Sequence, residues 1–247
     1  MGATGAVGPV AVELLRERGY TNVRAFASAR SAGKTVGGLQ VEEATPEALG
    51  GGDLDVCLFS VGTALSRELV PRVVEGGAVA VDKSSAFRLA DGVPLVVPEV
   101  NGRRAAEHDG VVANPNCCTI PLTMVLKPLH EAAGLARVRV STYQSRSGAG
   151  VERMEELRAT PPAAAHLDMD WEFDGVDFDE EAKLRAETRK ILELPELPLV
   201  SASRRSRVRA TRSASTTCSW AASARTRRSR TGSSSSSRAT TSARVRH

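Results

Sequence analysis

The chain has 247 residues, 41% of them hydrophobic, enough for one large or two ordinary domains with a substantial core. Its formal charge of +4 is uneven: residues 201–247 hold 12 of the 33 Lys and Arg and no acidic residue, leaving 21 against 29, a net −8, over residues 1–200. An acidic globular part excludes a nucleic-acid or membrane-surface protein built on basic charge, and four cysteines without a CxxC pair exclude a disulfide framework or a zinc site.

Apolar spacing assigns the elements. Val7, Val10, Ala11, Leu14 and Leu15 recur at helical intervals, with Gly19 as the stop. Short β-rich segments follow at Val23–Ser28, Val56–Val61, Ala78–Val81, Leu95–Val97, Val111–Ala113 and Val138–Tyr143. Helical patterns fall at Leu65–Glu75, Ile120–Ala133, Val151–Thr160 and Phe178–Leu194, the last ending before Pro195, and the acidic stretch Asp168–Glu181 reads as a surface connection. Alternating strand and helix predict a largely parallel sheet with crossovers. No run of 18 apolar residues and no basic-then-apolar leader layout occur, so a reducing cytoplasm is the expected location.

Both ends depart from this pattern. Gly2-Ala3-Thr4-Gly5-Ala6-Val7-Gly8 is a glycine turn with no strand in front of it, although a nucleotide-binding turn is anchored by such a strand. After Val200 the composition changes to Arg, Ser, Thr and Ala, including Ser233–Ser237, without an apolar period. A segment of that kind is expected to stay disordered, and a reading-frame shift accounts for the abrupt change.

Two motifs carry chemistry. The glycine turn lets backbone approach a pyrophosphate at the start of the following helix, and Arg30 and Ser31, after the second strand, suit a ribose 2′-phosphate. Asn114-Pro115-Asn116-Cys117-Cys118-Thr119 lies between a short strand and a helix. It places a thiol at a helix N-terminus, where unpaired N–H groups and the dipole favour a thiolate nucleophile. Two buried packing cysteines are the alternative reading of the same residues.

GATGAVG, FASARSAGK, DVCLFSVG, AVDKSSAFR, VPLVVPEVN, NPNCCTIPL, YQSRSGAG and ETRKILELPELP occur in that order. Over residues 2–200 the chain resembles the aspartate-β-semialdehyde dehydrogenase family. The resemblance implies an α/β fold: a Rossmann-like, NADP-binding domain over residues 1–115 that lacks its first strand, and a truncated α+β catalytic and dimerisation domain over residues 116–200. Residues 201–247 form the Arg/Ser-rich tail.

It implies Cys117 as the nucleophile that holds an acyl-thioester, with Gln144 orienting substrate. Cofactor contacts fall at Gly2, Thr4, Gly5, Ala6, Val7, Arg30, Ser31, Ser147 and Gly148, and substrate contacts at Asn116, Arg88 and Lys190 for phosphate and Glu187 for an ammonium. No metal is implied. A small-molecule substrate, no nucleic acid or membrane partner, and a homodimer or homotetramer are expected.

The alternatives are a related N-acetyl-glutamyl-phosphate reductase and a non-catalytic remnant of the fold; against the first, Glu187 and Lys190, at i and i+3, favour a substrate with a free amino group. Lys83, Gly62-Thr63-Ala64 and Arg146 depart from the family pattern. The family's carboxylate-binding arginine and its Gly-His-Ser acid/base motif do not occur after Val200, so the chain as written is expected to be nearly inactive.

Overall fold

The computed structural model describes residues 1–145, 155, 167–168, 171–206, 217–226 and 238–246. The chain divides into two compact units. The first comprises Met1–Val96 and Arg103–Pro115, and the second Val97–Gly102 and Asn116–His247.

In the first unit, helix α1 (Gly8–Glu17) is closed by the Arg18 and Gly19 N–H groups on the carbonyls of Leu14 and Arg16. Strand β1 (Ala25–Ala27) pairs in parallel with β3 (Leu39–Glu43), whose other edge carries the short antiparallel β2 (Thr35–Val36). A second sheet is wholly parallel, in the order β4 (Val56–Phe59), β5 (Val79–Asp82), β6 (Val111–Ala113). Residues 1–3 bond to both sheets: Ala3 N–H donates to the Phe26 carbonyl, and Ser60 N–H donates to that of Met1. Helices α2 (Pro46–Gly50), capped by Thr45 Oγ1, and α3 (Thr63–Glu75) cover the core. Phe26, Leu49, Phe59, Val70 and Val73 form its centre. Along β4, Cys57 and Phe59 are buried while Val56 and Leu58 are exposed, so the sheet is covered on one face there, unusual for parallel strands.

Asp82, wholly buried at the carboxyl end of β5, accepts hydrogen bonds from Ser66 Oγ (2.9 Å), Ser84 N–H (3.0 Å) and Ser84 Oγ (2.6 Å). It ties α3 to the turn that leads to Arg88.

The second unit opens with the single turn α4 (Pro98–Asn101), where the sequence predicts a strand through Val97. Leu95 forms only an isolated bridge to Ala113, because Pro94 and Pro98 bracket the segment and Pro98 starts a helical turn. Helix α5 (Thr119–Ala133) packs against α6 (Asp179–Leu192) and a five-stranded sheet. Its strand order is β11 (Arg238–Arg246), β10 (Thr217–Thr226), β7 (Leu135–Ser145), β9 (Leu199–Ser206), β8 (Leu167–Asp168). Leu122, Leu126, Val138, Leu184 and Leu199 are central in its core.

Residues 199–206, 217–226 and 238–246 are strands, so the expectation of a disordered tail after Val200 is corrected at those residues. Main-chain pairing explains the difference. β9 runs parallel to β7, β10 antiparallel to it, and Ser, Thr and Ala satisfy a ladder without an apolar period. The helix expected over Val151–Thr160 lies outside the described residues apart from Glu155.

Asp82→Ala leaves three buried donors without an acceptor and should cost about 3 kcal/mol in chemical denaturation; a loss below about 0.5 kcal/mol would mean that this tie is not structural.

Candidate active site

The turn from Asn116 to Thr119 is closed by one residue. The Asn116 carbonyl accepts the N–H groups of Thr119 (3.0 Å) and Ile120 (3.2 Å), and Asn116 Oδ1 accepts that of Cys118 (2.8 Å). Three of the N–H groups at the start of α5 are thus already satisfied by Asn116. The expectation of unpaired donors for a thiolate is corrected to that extent: the Asn116 carbonyl takes two of these N–H groups by ordinary turn and helix pairing, and its side chain takes the third. Cys118 is 3% exposed within the core, whereas Cys117 is exposed. The reading of two buried packing cysteines therefore applies to Cys118 and not to Cys117.

Buried carboxylates fix the turn from behind. Glu187, 1% exposed on α6, accepts the Asn116 N–H at Oε2 (2.7 Å). Glu180, on the first turn of the same helix, accepts from Asn116 Nδ2 (3.0 Å) and from Gln144 Nε2 (2.8 Å) at a single oxygen, Oε1. Gln144 also reaches Thr142 Oγ1 (3.4 Å), which donates to Ser203 Oγ (2.9 Å), while Glu181 Oε1 accepts the Ser203 N–H (2.8 Å).

The sequence-predicted Asn116, Gln144 and Glu187 are brought together. Glu180 and Glu181, assigned to a surface connection, are buried instead, with Glu180 inside the site. Asp179, Glu180 and Glu181 resemble an ordinary solvated acidic first turn, and the only sequence signal for burial is the spacing of seven residues, two helical turns, between Glu180 and Glu187.

Lys190 is half-buried and lies three residues after Glu187 on α6. Arg88 belongs to the first unit, where its guanidinium is buried and donates from Nε to the Asn114 carbonyl (2.9 Å) and from Nη2 to that of Lys83 (2.7 Å). Ser147 and Gly148 lie outside the described residues.

The glycine turn is built by close backbone approach. A Cβ on Gly8 would stand 2.0 Å from the Ala3 carbonyl oxygen, and one on Gly2, whose φ is +80°, 2.4 Å from that of Ser60. No side chain caps α1, and Thr4, Gly5, Ala6 and Val7 are exposed ahead of it. The arrangement fits a dinucleotide pyrophosphate: a turn of close backbone approach and a helix start without a side-chain cap. Thr4 Oγ1 donates to Ser31 Oγ (3.2 Å), joining the turn to the segment after β1, where Ser31 is buried and Arg30 exposed.

Exposure separates the thiols. Burial pushes the Cys57 thiol above its ordinary range. Among Cys57, Cys117 and Cys118, iodoacetamide should modify Cys117 more than about tenfold faster than the others. Peptide mass mapping checks this, and equal labelling of Cys118 in the folded chain would contradict the packing described.

Residues 1–108 match the family description "Semialdehyde dehydrogenase, NAD binding domain", and residues 126–174 match "Semialdehyde dehydrogenase, dimerisation domain". The aspartate-semialdehyde dehydrogenase of Streptomyces akiyoshiensis is 41% identical over 231 residues, covering 80% of this chain and 68% of that protein. The crystal structure of aspartate semialdehyde dehydrogenase II from Vibrio cholerae, complexed with ASA, is 33% identical. It superposes with a TM-score of 0.81, covering 92% of this chain and 73% of that one. The Candida albicans enzyme, solved with NADP, shares the fold at 23% identity and a TM-score of 0.69, over 94% of this chain and 72% of that one. On the strength of these relatives, the chain belongs to the aspartate-semialdehyde dehydrogenase family.

Proposed function

We propose that the chain carries the chemistry of NADP-dependent interconversion of L-aspartate 4-semialdehyde and L-aspartyl 4-phosphate, running toward the semialdehyde in amino-acid biosynthesis. The observation that carries this is the exposed Cys117 on a turn locked by Asn116, Glu180 and Glu187. The relatives named above bear the aspartate name, which favours this reading over the N-acetyl-glutamyl-phosphate alternative.

In the oxidative direction Cys117 Sγ, exposed and losing its proton to solvent water, bonds to the aldehyde carbon as the thiolate. The oxyanion re-forms the carbonyl as hydride departs, leaving an acyl-thioester. An oxygen of inorganic phosphate then displaces the Cys117 thiolate, and the product is the acyl phosphate. Bound NADP supplies the hydride acceptor. A thioester suits the sequence because it preserves acyl-transfer potential between the two half-reactions.

The remaining roles belong to the same proposal. Gln144 orients the substrate next to the nucleophile. Glu187 engages the substrate ammonium, a charge-assisted contact for a carboxylate that also accepts the Asn116 N–H. Arg88 and Lys190 are the phosphate cations, a planar guanidinium suiting a phosphate bidentately where an ammonium acts as a point charge. The glycine turn with Gly2, Thr4, Gly5, Ala6 and Val7 holds the pyrophosphate, and Arg30 with Ser31 takes the 2′-phosphate; Ser147 and Gly148 complete the cofactor contacts. A homodimer or homotetramer in the cytoplasm is the proposed setting, and the match to a dimerisation domain supports assembly.

No Gly-His-Ser sequence occurs in residues 1–247. Without that acid/base, turnover is expected about 10²–10⁴-fold below that of a relative which has it. Cys117→Ser should abolish what remains, measured as phosphate-dependent NADPH formation from aspartate semialdehyde. Turnover surviving Cys117→Ser would refute the thioester route.

A further inference from the structure

Acidic residues on the first turn of a helix ordinarily stand in water, where they complement the macrodipole. On α6 two of three do not: Glu180 is 8% exposed and Glu181 9%. Glu181 has a structural task, since its Oε1 accepts the Ser203 N–H and its carbonyl accepts Ser201 Oγ (3.1 Å), pinning α6 to β9. Among the described residues Glu180 makes no such tie to the sheet backbone. Its Oε1 accepts from two side-chain amides, Asn116 Nδ2 and Gln144 Nε2.

A side-chain amide has two faces of nearly equal size and opposite polarity, and what a ligand meets depends on which is turned outward. A buried carboxylate accepts only, so it draws the nitrogen of each amide toward itself. At Asn116 this sends Oδ1 to the Cys118 N–H at 2.8 Å, and so fixes the peptide that follows Cys117. At Gln144 it commits Nε2, whose second neighbour is Thr142 Oγ1, and turns the carbonyl oxygen away from the carboxylate.

We infer that Glu180 is a positioning residue that sets both amides at once: it locks the Asn116–Cys118 turn carrying the nucleophile and makes Gln144 an acceptor, selecting a substrate group that donates a hydrogen bond there. This deepens the dehydrogenase reading and rests on it for the identity of the substrate, but the lock itself is a property of the chain alone.

The test is residue-resolved amide hydrogen exchange on the full chain and on Glu180→Ala and Glu180→Gln. In Glu180→Ala the Cys118 N–H should lose protection about five- to tenfold, as one hydrogen bond is released, while the amides of α5 beyond Ile120 keep theirs. Glu180→Gln retains an acceptor oxygen for both nitrogens and should restore most of the protection. Unchanged protection at Cys118 in Glu180→Ala would overturn the inference. A loss spread evenly along α5 would do the same, by showing a role in folding alone, as would a Glu180→Gln variant as unprotected as Glu180→Ala. Turnover that survives Cys117→Ser breaks the thioester route and leaves these protection factors untouched, so the two failures are told apart.

Discussion

Asn116 is the joint on which the second unit's chemistry turns. Its carbonyl, side-chain oxygen, side-chain nitrogen and N–H are all hydrogen-bonded: the first two to the opening amides of α5, the last two to carboxylates of α6. A buried polar group left unmade costs more than a made one gains, so a fully paired asparagine holds one conformation far more firmly than apolar packing of equal size. The cysteine that follows inherits that rigidity while remaining exposed. Catalysis by positioning needs this combination of a fixed backbone and a reachable sulfur.

The arrangement places unusual demands on α6. Glu180, Glu181 and Glu187 are all buried on one helix. Buried carboxylates are tolerated where donors meet them, and here all three meet amide donors: Glu187 from Asn116, Glu180 from Asn116 and from Gln144 on β7, and Glu181 from Ser203 on β9. The helix is a polar clamp on its inner face as well as an apolar one through Leu184 and Ile191. In the first unit the same economy appears at the glycine turn, where absent side chains let Gly8 sit against the Ala3 carbonyl and leave the start of α1 uncapped.

Much of this was legible in residue order. The helices at Gly8–Glu17, Thr63–Glu75, Thr119–Ala133 and Asp179–Leu192 follow their apolar spacing to within two residues, and the parallel strands around Phe59 and Ala80 follow their β-branched composition. β2 and β3 were not legible: Thr35–Glu43 holds few apolar residues and closes through Gly37 and Gly38. Burial of Glu180 escaped because one helix turn of three acids reads as solvated, and only the tertiary fold brings Gln144 and Asn116 to it. The strands after Val200 escaped for a related reason. Ser201 and Ser203 are buried beside Glu181 although nothing in an Arg/Ser-rich stretch marks an inward face.

The nucleophile, its locked turn and the thioester meet in one observable. Intact-mass and peptide analysis of the chain after mixing with aspartate semialdehyde and NADP in phosphate-free buffer would capture the acyl-enzyme before its release. The account predicts an aspartyl increment on the peptide containing Cys117, removed on adding inorganic phosphate. An increment on another residue, or none on Cys117 while NADPH forms, would contradict it.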